Sequence, residues 1–168
     1  KLKDAAVLYI VDPETAKKAS EVAVGHVIDV EVGGKSHPRM GPPVPMRAEV
    51  VSISDGRVVY DGPMFAGLEV NHGKSVLVKQ DGVYVVVISL AHQPVDLAFT
   101  RSLGLDCASM QYLCVKSTGH FRSGFGPIAG SIFNVDAAGV FTQDFTQISF
   151  KRLGREIYPM QPKTCFRI

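Results

Sequence analysis

What this sequence lacks narrows it first. Cysteine is scarce: Cys107, Cys114 and Cys165 make an odd total with no CxxC pair. That argues against a disulfide scaffold and points to a reducing, cytoplasmic compartment. Neither sign of charge dominates, with 18 Lys and Arg against 16 Asp and Glu for a net +2. The balance gives no argument for nucleic acid or an anionic membrane as a partner. The basic residues near the end (Lys151, Arg152, Arg155, Lys163 and Arg167) read as a solvated face. The longest apolar run, Val83 to Ile88 with Leu90 beyond it, is far too short to span a bilayer, and no secretory h-region opens the chain. The chain begins at Lys1, not Met, as it would after processing or in a fragment of a longer chain.

Catalytic signatures are missing too. Of the five histidines, His26, His37, His72, His92 and His120, no two fall at the i, i+4 spacing of a helical zinc pair, and there is no H-E-x-x-H. Neither a G-x-S-x-G turn nor a Walker phosphate loop occurs. Gly33-Gly34-Lys35 is too short for the latter and reads as a tight turn. A stand-alone metal or catalytic site is therefore not expected.

What is present is a globular composition, 46% hydrophobic and 20% charged over 168 residues, which fits one domain across residues 1–168. Ala5 to Val11 is an apolar strand ending at Asp12-Pro13, a helix cap followed by the residue best suited to a first helical position. Ala16, Ala19, Val22 and Ala23 continue at helical spacing, with Gly25 placed to close the helix. His26 to Val32 alternates as a strand with one apolar face. Gly33 to Pro45 is a long Gly/Pro loop. Strands then alternate with tight turns: Arg47 to Ile53 before Asp55-Gly56, and Lys74 to Lys79 before Asp81-Gly82, both read as hairpins. Val83 to Ile88, apolar on both sides, predicts a central strand. In the last third, Asp96 to Leu103 predicts a short helix stopped at Gly104. Tyr112 to Lys116 predicts a strand, Gly119 to Gly130 a helix shortened or kinked by Pro127, and Ser131 to Val135 a further strand. The fold class is α/β: a mixed sheet with strand-helix-strand units at both ends and antiparallel hairpins between.

Two places invite chemistry. In Lys116-Ser117-Thr118-Gly119-His120-Phe121-Arg122, Ser117 or Thr118 can cap the helix, leaving outward N–H groups beside Lys116, His120 and Arg122. That combination suits a small anion or a substrate carboxylate. The simpler reading is an ordinary cap with a solvated basic turn. In His92-Gln93-Pro94-Val95-Asp96, at the end of the central strand, His92 and Asp96 could act as a base and its orienting carboxylate. Alternatively, Asp96 only caps the next helix. A self-contained module binding a small anion or a protein partner would need nothing more than the first of these.

The order of motifs resembles the C-terminal domain of the MlrC family, zinc metallopeptidase-like proteins associated with microcystin degradation. Asp12-Pro13, Gly33-Gly34-Lys35 and Gly41-Pro42-Pro43 open the match. Gly62-Pro63-Met64, Gly82 to Ser89, Gln93-Pro94 with Asp96, and Ser102-Leu103-Gly104-Leu105-Asp106 continue it. Val115-Lys116-Ser117, His120-Phe121, Pro127-Ile128-Ala129 and Val135-Asp136-Ala137 are its strongest part, and Tyr158-Pro159 resembles the family's aromatic-proline close. The resemblance implies a longer protein whose N-terminal part binds zinc and hydrolyses an amide or peptide bond. This chain would then be a fragment, inactive alone, that completes a cleft for a peptide-like or small-molecule substrate. No catalytic residue carries over. Lys116, Ser117, His120 and Arg122 are the candidate substrate-binding residues. The family's Asn-Pro-Gly-rich lead-in has no counterpart before Lys1, and His92 stands where the family has an aromatic or basic residue.

Overall fold

Alternation and apolar runs dictate the sheet. The computed structural model describes residues 2–137, 139–142 and 144–152. Six strands form one mixed sheet: β1 (Ala5–Val11), β2 (Val27–Val32), β3 (Val44–Ser54), β6 (Ser75–Gln80), β7 (Val83–Ile88) and β8 (Tyr112–Val115), in the order β2-β3-β6-β7-β1-β8. Two short strands, β4 (Arg57–Val59) and β5 (Glu69–Asn71), pair separately. β1 runs parallel to both β7 and β8, and the other neighbours are antiparallel. The central position of β7 explains its apolar run, since Val85 to Ile88 are buried on both faces.

The first helix, α1 (Pro13–Ser20), starts where its residues require, with the Asp12 carboxylate accepting from the Thr15 N–H. It ends at Ser20, earlier than the apolar spacing predicts. Gly25, expected to close it, does have a positive φ of 88° but serves the turn into β2. Ala16 and Ala19 bury their small side chains against Val30, Val32, Ala48, Val76 and Val87 on one sheet face. The opposite face carries Leu8, Tyr9, Leu77 and Ile88, packed with Tyr60, Phe99, Leu103 and Phe125. These side chains come from the β4–β5 excursion, from α2 (Ala98–Ser102) and from α3 (Phe121–Phe125).

Three expectations are corrected. Asp55-Gly56 does not join a hairpin, because β3 pairs with β6 across Ser54 and Ser75. The intervening chain leaves the sheet, closed at its base where Gly56, at φ 85°, lies against the Gly73 backbone and its carbonyl accepts from His72 N–H. Ser131 to Val135 is not a strand. Its alternation is β-like, but no strand edge pairs with it and Phe133 and Val135 stay in solvent, so context overrides propensity. The helix expected over Gly119 to Gly130 shrinks to α3 and a 3-10 turn, Gly126–Ile128. Pro127 has no N–H to continue an α-helix. The strand-helix-strand reading thus holds for β1-α1-β2 in order only, since three strands separate β1 from β2. At the other end the unit lacks its last strand. Arg155, Lys163, Cys165, Arg167 and Tyr158-Pro159 lie outside the described residues.

Candidate functional site

Because β7, β1 and β8 are parallel neighbours, their C-terminal ends form one rim, the edge where open α/β sheets bind ligands. Each strand delivers one segment to it. From β7 comes Ser89 to Gln93, from β1 Asp12, and from β8 Lys116 to Arg122. The Lys116 N–H donates to the Leu8 carbonyl at 2.9 Å, continuing the ladder by one residue. Ser117 Oγ then donates to Gln93 Oε1 at 3.2 Å, tying the β8 exit to the β7 exit across the end of β1.

All four residues singled out in the sequence meet on this turn, with Lys116, His120 and Arg122 exposed and Ser117 half-buried. Arg122 stacks over Phe121 at 5.1 Å and donates to Asn134 Oδ1 at 3.2 Å. Three N–H groups at the start of the helix find partners within the turn. Ser117 Oγ takes the Phe121 N–H at 3.3 Å, and the Gly119 and His120 carbonyls take those of Arg122 and Ser123. The Lys116 and Arg122 side chains stay exposed beside this turn.

Sequence reasoning missed Lys35 at this rim. β2 returns alongside α1, with Thr15 Oγ1 lying 2.9 Å from the Glu31 carbonyl and Lys18 Nζ donating to that of Asp29. This carries Gly33 and Lys35 back to the end of β1. There the buried Asp12 accepts from Gly33 N–H at 3.0 Å and pairs with Lys35 Nζ at 3.1 Å. Burial works to raise the Asp12 pKa, but the Thr15 and Gly33 amides, the Thr15 hydroxyl and Lys35 outweigh it and hold the carboxyl below its ordinary 3.8. The loop after Lys35 is cinched at Gly34, where a Cβ would lie 2.5 Å from the Pro43 nitrogen. The cap at Asp12 with Gly33-Gly34-Lys35 downstream was the available signal, but nothing local says that the two meet.

His92 and Asp96 do not form the expected couple. Both Asp96 oxygens are committed to backbone, Oδ1 to Ala98 N–H at 2.7 Å and Oδ2 to Gly62 N–H at 2.7 Å. Asp96 positions the start of α2 and the excursion. His92 instead leans on His72, ring centroids 4.7 Å apart. His72 is fully buried, stacked on Phe99 at 3.9 Å, with Nε2 3.2 Å from the Tyr60 hydroxyl. Burial first, and His92 second, push its pKa down to about 4. Among the described residues no three His, Cys, Asp or Glu side chains converge as a metal centre would need. With Asp96 held by amides and His72 by Tyr60, this donor set does not fit a zinc ion, and no step through a metal is derived from it.

The class these features define is a mixed α/β domain in which the C-terminal ends of three parallel strands share one rim. The chain belongs to the MlrC C-terminus family, whose model matches residues 1–152. It is 24% identical over 151 residues to Microcystinase C of Sphingomonas sp, a match covering 90% of this chain and 28% of that protein. A Mesorhizobium sp. BNC1 protein, provisionally assigned as a metallopeptidase, has a crystal structure that matches at a TM-score of 0.79 and 27% identity. That match covers 95% of this chain and 31% of that one. The chain therefore spans about a third or less of the length of these relatives.

Proposed function

We propose that this chain is the C-terminal domain of a metallopeptidase-like hydrolase that cleaves an amide or peptide bond in the cytoplasm. Zinc held by the N-terminal part of the same polypeptide would supply the activated water. The observation that carries the reading is the Ser117–Gln93 bridge, which gathers Lys116, His120 and Arg122 on one exposed turn at the rim. Family membership and the likeness to a metallopeptidase support the hydrolase class. The share of each relative left unmatched supports an N-terminal partner across a cleft. In that cleft Lys116 and Arg122 attract a carboxylate of a peptide-like or small-molecule substrate, and His120 offers a hydrogen bond. The Ser117 hydroxyl is committed to Gln93, so it holds the turn in place and is not a nucleophile.

The test uses the full-length protein and a peptide substrate. Lys116→Ala and Arg122→Ala each raise KM about tenfold, the loss of about 1.4 kcal/mol of binding, with kcat nearly unchanged. Chelation abolishes turnover and zinc restores it. Unchanged KM in both variants would remove the substrate role, and turnover indifferent to chelation would remove the zinc.

A further inference from the structure

After the 3-10 turn at Gly126–Ile128 the chain runs on without a helix or strand, apart from one 3-10 turn, Phe145–Gln147, as far as it is described. Its composition is not that of a solvated linker. Among the described residues, eight large apolar side chains between Ile132 and Phe150 face solvent, Phe133 and Val135 being 84% and 83% exposed. Single exposed hydrophobics are ordinary, but such a density over so short a stretch marks an interaction surface. Two contacts locate the stretch. Asn134 is held by Arg122 at the β8 end of the rim. At Gly139 a Cβ would lie 3.7 Å from Met40 Sδ, in the loop beyond Lys35. The segment therefore reaches from the basic turn toward the loop beyond Lys35. Its apolar side chains face away from the core.

We infer that the described residues between 131 and 150 are a docking strap for the N-terminal part of the same polypeptide, anchored by Phe133, Val135 and Phe141. Two observations select that occupant. The family match runs to residue 152, so the strap is part of the family's domain. More than two thirds of each relative lies outside the matched region, ample chain to cover it. The inference rests on the proposed two-part hydrolase and adds to it the surface through which the parts meet.

Hydrogen–deuterium exchange of the full-length protein against this chain alone tests it. Among its described residues the strap makes few backbone hydrogen bonds, so its amides exchange fast in the chain alone and at least about tenfold slower in the full-length protein. Phe133→Asp with Val135→Asp in the full-length protein restores fast exchange across 131–150, while the control Val24→Asp, at another exposed apolar position, does not. Equal exchange in the two proteins overturns the inference, as does protection that survives the double variant. Protection in the chain alone that grows with concentration would hand the strap to a second copy and also overturn it. A protected strap in a protein without hydrolase activity would retain the docking and remove the proposed function. Hydrolysis with an unprotected strap would do the reverse.

Discussion

Replacing Asp12 by alanine tests the rim most directly, because one buried carboxylate holds three parts of the chain together. It caps α1 through Thr15 N–H at 3.0 Å, accepts from Thr15 Oγ1 at 2.8 Å, holds Gly33 N–H at 3.0 Å and pairs with Lys35. Loss of the cap costs about 1 kcal/mol. Loss of a charge-assisted bond to Gly33, and of the Lys35 pair, adds about 1.5–3 kcal/mol. The Lys35 side chain is 25% exposed and can turn to water, which keeps the sum to about 3 kcal/mol rather than the larger penalty of a fully buried broken pair. Urea unfolding followed by circular dichroism measures this as a lower midpoint at unchanged slope. The pH dependence carries the sign. A carboxyl held below its ordinary 3.8 stabilises the native chain fully above that value. The contribution is lost as pH falls through the lower native value. The gap between wild type and Asp12→Ala is therefore widest at neutral pH and closes in acid. A difference under about 0.5 kcal/mol at pH 7, or one that does not change down to pH 3, refutes the account of Asp12.

Three more outcomes are expected in the core. Gly62→Ala places a Cβ 2.5 Å from the Asp96 oxygen that its own N–H bonds. It lowers stability by about 1–3 kcal/mol in the same urea assay, and a neutral result would mean the excursion is not pinned there. For His72, lowered from 6.5 to about 4, the unfolded chain binds a proton between those values that the native chain does not. Stability therefore falls as pH drops from about 6.5 toward 4, by up to about 3 kcal/mol. His72→Phe flattens that slope, and an unchanged slope in the variant would assign it elsewhere. Tyr9→Phe removes a buried hydroxyl with no hydrogen-bond partner among the described residues, so its melting temperature stays within a degree or two or rises.

The strands were legible where local pattern and burial agree. The alternation of Ile28, Val30 and Val32, the two-sided apolar run of Val83 to Ile88, and the Asp12-Pro13 start of α1 all read correctly because each is a local consequence of one face meeting the core. Asp81-Gly82 makes its two-residue turn with Asp81 at φ 53°, whereas Asp55-Gly56, an identical dipeptide, does not. The difference lies in the strands downstream of each turn. β6 takes the neighbouring position beside β3, and β4 is too short to compete for it. The basic turn was legible as a cluster of residues, but the partners of the Phe121, Arg122 and Ser123 N–H groups depend on how tightly α3 winds. Nothing local in the sequence says that Lys35 meets Asp12 or that His92 meets His72.

By itself the sequence determined the class of the fold, the central strand, the first helix and the family, since periodicity, capping chemistry and an ordered set of motifs are properties of the chain read in one dimension. Only the tertiary structure decided which strand ends share a rim, that Asp96 serves backbone amides and not His92, and that the described residues between Ile132 and Phe150 leave eight large apolar side chains uncovered. Each of these depends on which non-local partner reaches a group first, and that choice is made by sheet order and packing across the whole domain.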